Sequence, residues 1–113
     1  MSDPTGGCQC GAVRYRLPQG FGRPSICHCR MCQKAFGGFF GPFVTADQAH
    51  LNWTRGQPNW FKSSNKVHRG FCQKCGTQLA YRHPNGIEMA IGIFDEAEKL
   101  ELILVFDPFG DDR

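Results

Sequence analysis

The sequence predicts a small, mostly β domain held together by bound metal, and three observations support this. The chain has 113 residues, which fits one domain spanning residues 1–113. Its 14 glycines and 7 prolines favour turns and short strands over long helices. Its 7 cysteines exceed ordinary usage, and their odd number fits metal ligation better than a disulfide framework.

The overall composition favours a globular protein without a membrane segment. Hydrophobic residues make up 41% of the chain and charged residues 20%, which is typical of a folded domain. No apolar stretch approaches the roughly 18 residues that a membrane-spanning helix needs. The first residues carry neither the basic segment nor the apolar run of a signal peptide. We therefore expect a cytoplasmic protein whose thiols stay reduced.

The net charge of +3 conceals an asymmetry along the chain. Residues 1–87 hold 11 Lys and Arg against Asp3 and Asp47, whereas residues 88–113 hold eight acids against Lys99 and Arg113. The basic residues stand singly, and several lie beside cysteines. This pattern disfavours nucleic-acid binding and favours metal thiolates or an anionic ligand as their partners.

Short segments with a strand pattern account for the first half of the chain. Val13 to Leu17 alternates apolar and polar residues, as a half-buried strand does, and residues 18–22 form a turn. The segment 39–45 is aromatic and β-branched, and Pro42 predicts that it is an edge strand or a bulged one. Helical periodicity is confined to Arg30–Phe36.

The second half shows the same pattern. Three strands are predicted over residues 59–62, 67–72 and 78–82. His83-Pro84-Asn85-Gly86 is a hairpin signal that leads into a strand over residues 87–94. Residues 95–99 predict one helical turn, and residues 100–106 a buried strand.

All the cysteines fall in three clusters with the spacing of metal ligands. These are Cys8-x-Cys10, Cys27-x-Cys29-x2-Cys32 and Cys72-x2-Cys75-Gly76. In an extended segment, residues i and i+2 project from the same face, so each C-x-C presents two sulfurs to one ion. A C-x2-C turn brings two sulfurs within about 2.3 Å of zinc, and a following glycine relieves the crowded turn.

The number of thiols indicates one closed site and one open site. A structural zinc takes four ligands, so seven sulfurs divide into four and three. The most economical division joins Cys8, Cys10, Cys72 and Cys75 around one ion, and leaves Cys27, Cys29 and Cys32 to hold a second ion. A zinc site with an open position is typical of catalysis, because water or substrate fills it.

Three alternatives remain open from the residues alone. The chain could bind one zinc and keep three free thiols. A histidine could close the second site, for which His28, His68 and His83 are the candidates. Finally, Cys27, Cys29 and Cys32 could form a redox pair, although C-x2-C outside a βαβ unit is weak support for one.

The three motifs, in this order, resemble those of the glutathione-dependent formaldehyde-activating enzyme family. The similarity runs from about Thr5 to Phe94 and rests on segments 6–15, 27–34 and 69–77. The resemblance implies a β-tent zinc fold with two zinc ions. It also implies that Cys8, Cys10, Cys72 and Cys75 are the structural ligands, and that Cys27, Cys29 and Cys32 are the catalytic ones.

The resemblance further implies a carbon–sulfur lyase that adds a glutathione-type thiol to formaldehyde or a related small aldehyde. From charge and position, Arg30, Lys34 and Arg69 are the candidates to hold the carboxylates of such a thiol. The competing expectation is a non-catalytic zinc module, such as an adaptor or a metal or thiol sensor. A fully closed second site would favour that alternative.

Overall fold

The computed structural model describes residues 3–97, which fold into nine strands, one α-helix and one 3-10 helix. The elements in chain order are β1 Thr5–Gly7, β2 Arg14–Arg16, β3 Phe21–Cys27, α1 Arg30–Phe36, β4 Gly41–Ala46, β5 Asn52–Arg55, β6 Asn59–Lys62, β7 His68–Phe71, β8 Gln78–His83, β9 Gly86–Ala90 and the 3-10 helix Ile91–Ile93.

The strands form two antiparallel sheets. The small sheet has the order β1-β2-β5, and the large sheet has the order β3-β4-β9-β8-β7-β6. Every pair of neighbouring strands is antiparallel. The predicted mostly β fold of short antiparallel strands is therefore confirmed.

The hydrophobic core brings residues of both sheets into one cluster. Val44 and Met89 of the large sheet belong to the same cluster as Tyr15 of the small sheet. The Tyr15 ring meets the rings of Trp53 and Phe94 edge-on, with centroids 6.0 and 5.7 Å apart. Since residues alternate between the faces of a strand, the neighbours of Val44 and Met89 lie on the opposite face of the large sheet.

The structure agrees with most of the predicted elements and adds three. The predicted helix matches α1, whose end is set by Gly37 at a φ of 65°, a left-handed conformation that suits glycine. The predicted hairpin is present, with His83 paired to Gly86. The strands β1, β3 and β5 were not predicted, because glycine, proline and polar residues interrupt their patterns.

For the strand that contains Pro42, an edge position or a bulge was predicted. The edge position is wrong, and the irregularity in the pairing of β3 with β4 lies between Phe21 and Pro24 of β3 rather than at Pro42. Strand β4 is internal, with β3 on one side and β9 on the other. Pro42 is paired with Ile26 of β3, and pairing with β9 begins one residue later at Phe43. At Pro42, strand β4 is therefore paired with β3 but not with β9. The missing N–H of the proline leaves no hydrogen bond to β9 unmade.

Residues 98–113 lie outside the described part of the chain, and with them the predicted strand over 100–106 and most of the helical turn over 95–99. Across residues 3–97, the structure contains no helix that is both long and apolar enough to cross a membrane.

Candidate metal centre

Four cysteines meet where the small sheet and the large sheet come together. The Sγ atoms of Cys8, Cys10, Cys72 and Cys75 all lie within 4.8 Å of one another. The Cys8 and Cys10 sulfurs are 3.7 Å apart, and those of Cys10 and Cys72 are 3.8 Å apart. Four sulfurs at about 2.3 Å from a tetrahedral zinc would be about 3.8 Å apart, so this group fits zinc.

The backbone around these cysteines is built as a tight turn. The Gly76 N–H donates to the Cys72 carbonyl over 2.8 Å, and Gly76 has a φ of +80°. The Cys72 N–H donates to the Thr77 carbonyl over 2.9 Å, which closes the turn between β7 and β8. On the opposite side, the Val13 N–H donates to the Cys8 sulfur over 3.3 Å. Backbone N–H groups aimed at sulfur favour its thiolate form.

The other three cysteines form a second group, at the junction of β3 and α1. The Sγ atoms of Cys27, Cys29 and Cys32 also lie within 4.8 Å of one another, and those of Cys27 and Cys29 are 3.3 Å apart. Cys27 ends β3, Cys29 is the residue before α1, and Cys32 is fully buried in its first turn. Within residues 3–97, neither a histidine nor a carboxylate joins these three sulfurs. The group therefore offers three ligands.

The pKa values of these thiols reflect their surroundings when no ion is bound. Burial raises the pKa of Cys32 to about 12, and the neighbouring Cys27 contributes in the same direction. In the first group, hydrogen bonds from Thr77 lower the pKa of Cys75 to about 5. Sulfurs so close together remain ionised at the same time only beside a cation, so metal binding and deprotonation are coupled here.

A buried arginine supports the second group. Arg69 is only 7% exposed, and its Nη2 donates to the Cys32 sulfur over 3.4 Å. Its Nε donates to the Ser63 hydroxyl over 3.1 Å, and its guanidinium lies 5.4 Å from the centroid of the Tyr81 ring. Of these neighbours, only the sulfur becomes negative when it ligates a metal. Arg69 is therefore placed to offset the charge of a three-thiolate site.

A row of polar side chains crosses the large sheet towards this group. Thr45 of β4 is paired with Glu88 of β9, Glu88 with Tyr81 of β8, and Tyr81 with Arg69 of β7. Directly paired residues project from the same face, so the row starts at Thr45 and reaches Cys32 through Arg69. This face is opposite the one that carries Val44 and Met89 into the core.

One cavity adjoins the second group, and another adjoins Arg69, which contacts Cys32. A polar cavity of about 670 Å³ is lined by Cys27, Cys29 and Glu88, among others. An apolar cavity of about 710 Å³ lies between α1 and strands β6 to β8, with Met31, Trp60 and Phe61 among its lining residues. Both volumes fall in the range of small-molecule sites.

The comparison with known families agrees with the cysteine geometry. A family model described as glutathione-dependent formaldehyde-activating enzyme matches residues 3–104. The chain belongs to this family. The matched segment includes all seven cysteines. It extends beyond Phe94, the end of the similarity that was identified from the cysteine motifs.

A solved structure shows that the fold recurs. The crystal structure of a Rhodobacter sphaeroides protein is similar to this chain with a TM-score of 0.70 and 22% sequence identity. The alignment covers 87% of this chain and 94% of that one. At this level of identity the likeness concerns the fold alone.

The basic residues predicted to contact substrate lie in different settings in this member of the glutathione-dependent formaldehyde-activating enzyme family. Lys34 and Arg69 both line the apolar cavity. Arg30 is exposed at the start of α1, and its Nη1 donates to the Gln33 side-chain oxygen over 2.6 Å. A substrate contact of any of the three stays a prediction.

Sequence reasoning missed three residues that complete the polar cavity. These are Thr45, Tyr81 and Glu88, which lie on three different strands. His83, a predicted candidate ligand of the second site, lines the cavity but does not join the three sulfurs. One signal was available in the sequence: Glu88 is a lone acid between Ile87 and Met89, inside a predicted strand. A buried carboxylate needs hydrogen-bond partners and often marks a functional site.

Proposed function

We propose that the protein joins a small thiol of the glutathione type to formaldehyde or a related small aldehyde, as a zinc-dependent carbon–sulfur lyase. Cys8, Cys10, Cys72 and Cys75 hold a structural zinc, and Cys27, Cys29 and Cys32 hold a catalytic one. The observation that carries the proposal is the second group, where three sulfurs adjoin a cavity without a fourth ligand among residues 3–97.

The residues around the second group have separate roles in such a reaction. Zinc in this site supplies an open position for the substrate thiol and favours its ionised form. Arg69 offsets the negative charge of the ligand set through its contact with Cys32. The polar cavity beside Cys27 and Cys29 admits the aldehyde.

Three basic side chains are available for the carboxylates of a glutathione-type thiol. Lys34 projects from α1 into the apolar cavity next to Arg69, and Arg30 lies one helical turn before it. Lys34 is the best placed of the three, because the guanidinium of Arg69 already donates to Cys32 and Ser63. We place the reaction in the cytoplasm, where glutathione-type thiols stay reduced.

Calorimetry and kinetics with glutathione test this function. The zinc-loaded protein should bind glutathione and add it to formaldehyde faster than the spontaneous reaction, the zinc-stripped protein and Cys29→Ser do. Lys34→Gln should weaken glutathione binding about tenfold, whereas Lys74→Gln in the exposed turn of the first group serves as the matched control. Absence of glutathione binding, with a rate equal to that of the controls, would favour a non-catalytic zinc module instead.

A further inference from the structure

The polar cavity contains a buried carboxylate that the cysteine chemistry does not explain. Glu88 is 8% exposed and lines the cavity together with Cys27 and Cys29. Other titratable or charged groups on the same wall are Arg23 and Cys27 from β3, His28 and Cys29 from the segment before α1, and Tyr81 and His83 from β8.

Two hydrogen bonds hold the Glu88 carboxylate in place. The Thr45 hydroxyl donates to Oε1 of Glu88 over 3.0 Å, and Nε2 of His83 lies 3.1 Å from Oε2. The backbone N–H of Asn85 donates to Nδ1 of His83 over 3.2 Å. Because a backbone N–H is always a donor, Nδ1 is an acceptor and the ring proton sits on Nε2. Each oxygen of Glu88 therefore has one hydrogen-bond donor, Thr45 on Oε1 and His83 on Oε2.

The Thr45 hydroxyl has a second acceptor. Its Oγ1 lies 3.4 Å from the carbonyl oxygen of Arg23, as well as 3.0 Å from Glu88 Oε1. A hydroxyl has one hydrogen to donate, so rotation towards the Arg23 carbonyl releases Oε1. A proton that arrives on Oε1 then faces Oγ1 of Thr45, which accepts it as a hydrogen bond.

The proposed reaction needs such a proton acceptor. When a thiol adds to formaldehyde, the C–S bond forms, the π bond of the carbonyl breaks, and its electron pair moves to oxygen. The proton lost by the thiol must therefore return to that oxygen to give the hydroxymethyl product. The reaction needs no oxidant, no reductant and no further reactant. However, one group must hold the proton between its loss from the thiol and its transfer to the oxygen.

We propose that Glu88 is this group: its Oε1 takes the thiol proton when the substrate binds and returns it to the oxygen of the new hydroxymethyl group. Thr45 and His83 are positioning residues, since Thr45 releases Oε1 and His83 fixes Oε2. The inference rests on the proposed function, because the cavity must receive a thiol beside Cys27 and Cys29.

Proton counting during thiol binding tests the proposal without any turnover. Calorimetry at pH 7 in buffers of different ionisation enthalpy gives the number of protons released when glutathione, or 2-mercaptoethanol, binds to the zinc-loaded protein. A free thiol with a pKa near 8.5 is protonated at this pH and loses its proton on binding. Wild-type protein should release fewer protons per bound thiol than Glu88→Gln, which lacks a carboxylate to take up the proton and should release about one.

Variants separate the proposal from a structural role of Glu88. Thr45→Val should increase proton release as Glu88→Gln does, while Thr45→Ser should restore the wild-type value. His50→Asn changes an exposed titratable group that does not line this cavity and should leave proton release unchanged. In steady-state kinetics with formaldehyde, Glu88→Gln should lower kcat about a hundredfold with little change in the KM for the thiol.

The outcomes distinguish this proposal from the proposed function. Equal proton release by wild type and Glu88→Gln, with both proteins binding thiol, would overturn the role of Glu88 and leave the thiol site standing. A shift caused by His50→Asn as large as that caused by Glu88→Gln would also overturn the assignment to Glu88. A zinc-loaded wild-type protein that binds neither thiol would overturn both proposals together.

Discussion

Arg14 and Asp95, which lie 81 positions apart, form an ion pair with two hydrogen bonds. Nη1 of Arg14 lies 2.9 Å from Oδ1 of Asp95, and Nη2 lies 2.5 Å from Oδ2. The Thr5 hydroxyl also donates to Oδ2 over 2.6 Å, and the Asp95 N–H donates to the Thr5 carbonyl. The pair therefore fastens the first two strands to the segment that follows the 3-10 helix.

The first prediction concerns the stability that this pair provides. Arg14 and Thr5 lower the pKa of Asp95 to about 2, so the carboxylate stabilises the fold above its unfolded pKa of about 3.9 and loses that effect as pH falls towards 2. Since both side chains are about a third or more exposed, Asp95→Asn should cost only about 1 kcal/mol at neutral pH.

Denaturant unfolding of wild type, Asp95→Asn, Arg14→Gln and the double variant measures this energy. The two single changes should not add, and the gap between wild type and Asp95→Asn should stay constant from pH 8 to 5. Asp47→Asn removes an exposed carboxylate that pairs with His50 and is the matched control. Full additivity of Asp95→Asn and Arg14→Gln would show that the pair contributes nothing.

The second prediction concerns the close approach of backbone at Gly6. A Cβ at this position would lie 2.3 Å from the carbonyl oxygen of Ile93 and 2.4 Å from the Tyr15 hydroxyl. Because one of these atoms belongs to the backbone, Gly6→Ala should destabilise the protein by about 3 kcal/mol or more. Gly92→Ala adds the same methyl group where no atom lies within 4 Å. Thermal melts that show equal effects for the two variants would contradict this packing.

The third prediction separates the two groups of cysteines. Cys75→Ser should prevent stable folding, because its group joins the segment after β1 to the turn between β7 and β8. The structural zinc that we propose for this group would contribute to folding. Cys29→Ser should give a folded protein that retains one zinc ion. Elemental analysis after mild chelation, together with circular dichroism, measures both effects. The division into a structural and an open site fails if both variants lose the same stability.

The fourth prediction concerns the charge that Arg69 provides. Arg69→Gln should lower the zinc affinity of the second group about 10- to 100-fold, since partners of metal ligands commonly have effects of this size. The affinity of the first group should not change. Arg82→Gln is the control, because it removes an arginine from the neighbouring strand β8. The Arg82 guanidinium stacks on Trp60, 4.1 Å from the ring centroid, rather than on a cysteine. Competition with a chromogenic chelator resolves the two sites; equal affinities in wild type and Arg69→Gln would refute this role.

The cysteine spacing predicted the two groups that could bind metal, because the cysteines of each motif are close in sequence. Glycine at position 76 and the period of Arg30–Phe36 likewise reflect local geometry. The row from Thr45 to Arg69 was not predictable in this way, because its members come together only through the register of four strands. A single residue of slippage in any strand would move its member to the other face of the sheet.

The same register explains the error at Pro42. A proline disfavours an internal position in general, but the rule depends on which N–H groups the neighbouring strand requires. Here β9 reaches β4 only from Phe43 onwards, so the proline has no partner on that side. The extent of a neighbouring strand is a property of the tertiary fold, and the local sequence does not contain it.

The meeting of Cys10 with Cys72, 62 positions later, has a consequence during protein synthesis. At translation rates of about 5–20 residues per second, the ribosome needs about 3 to 12 seconds to add the residues between them. Until then the nascent chain carries Cys8 and Cys10 without their partners, and Gly6 has not met Phe94, with which it forms an isolated β-bridge. The amino-terminal thiols are therefore exposed to oxidants for that interval, before the other two sulfurs of their group have been synthesised.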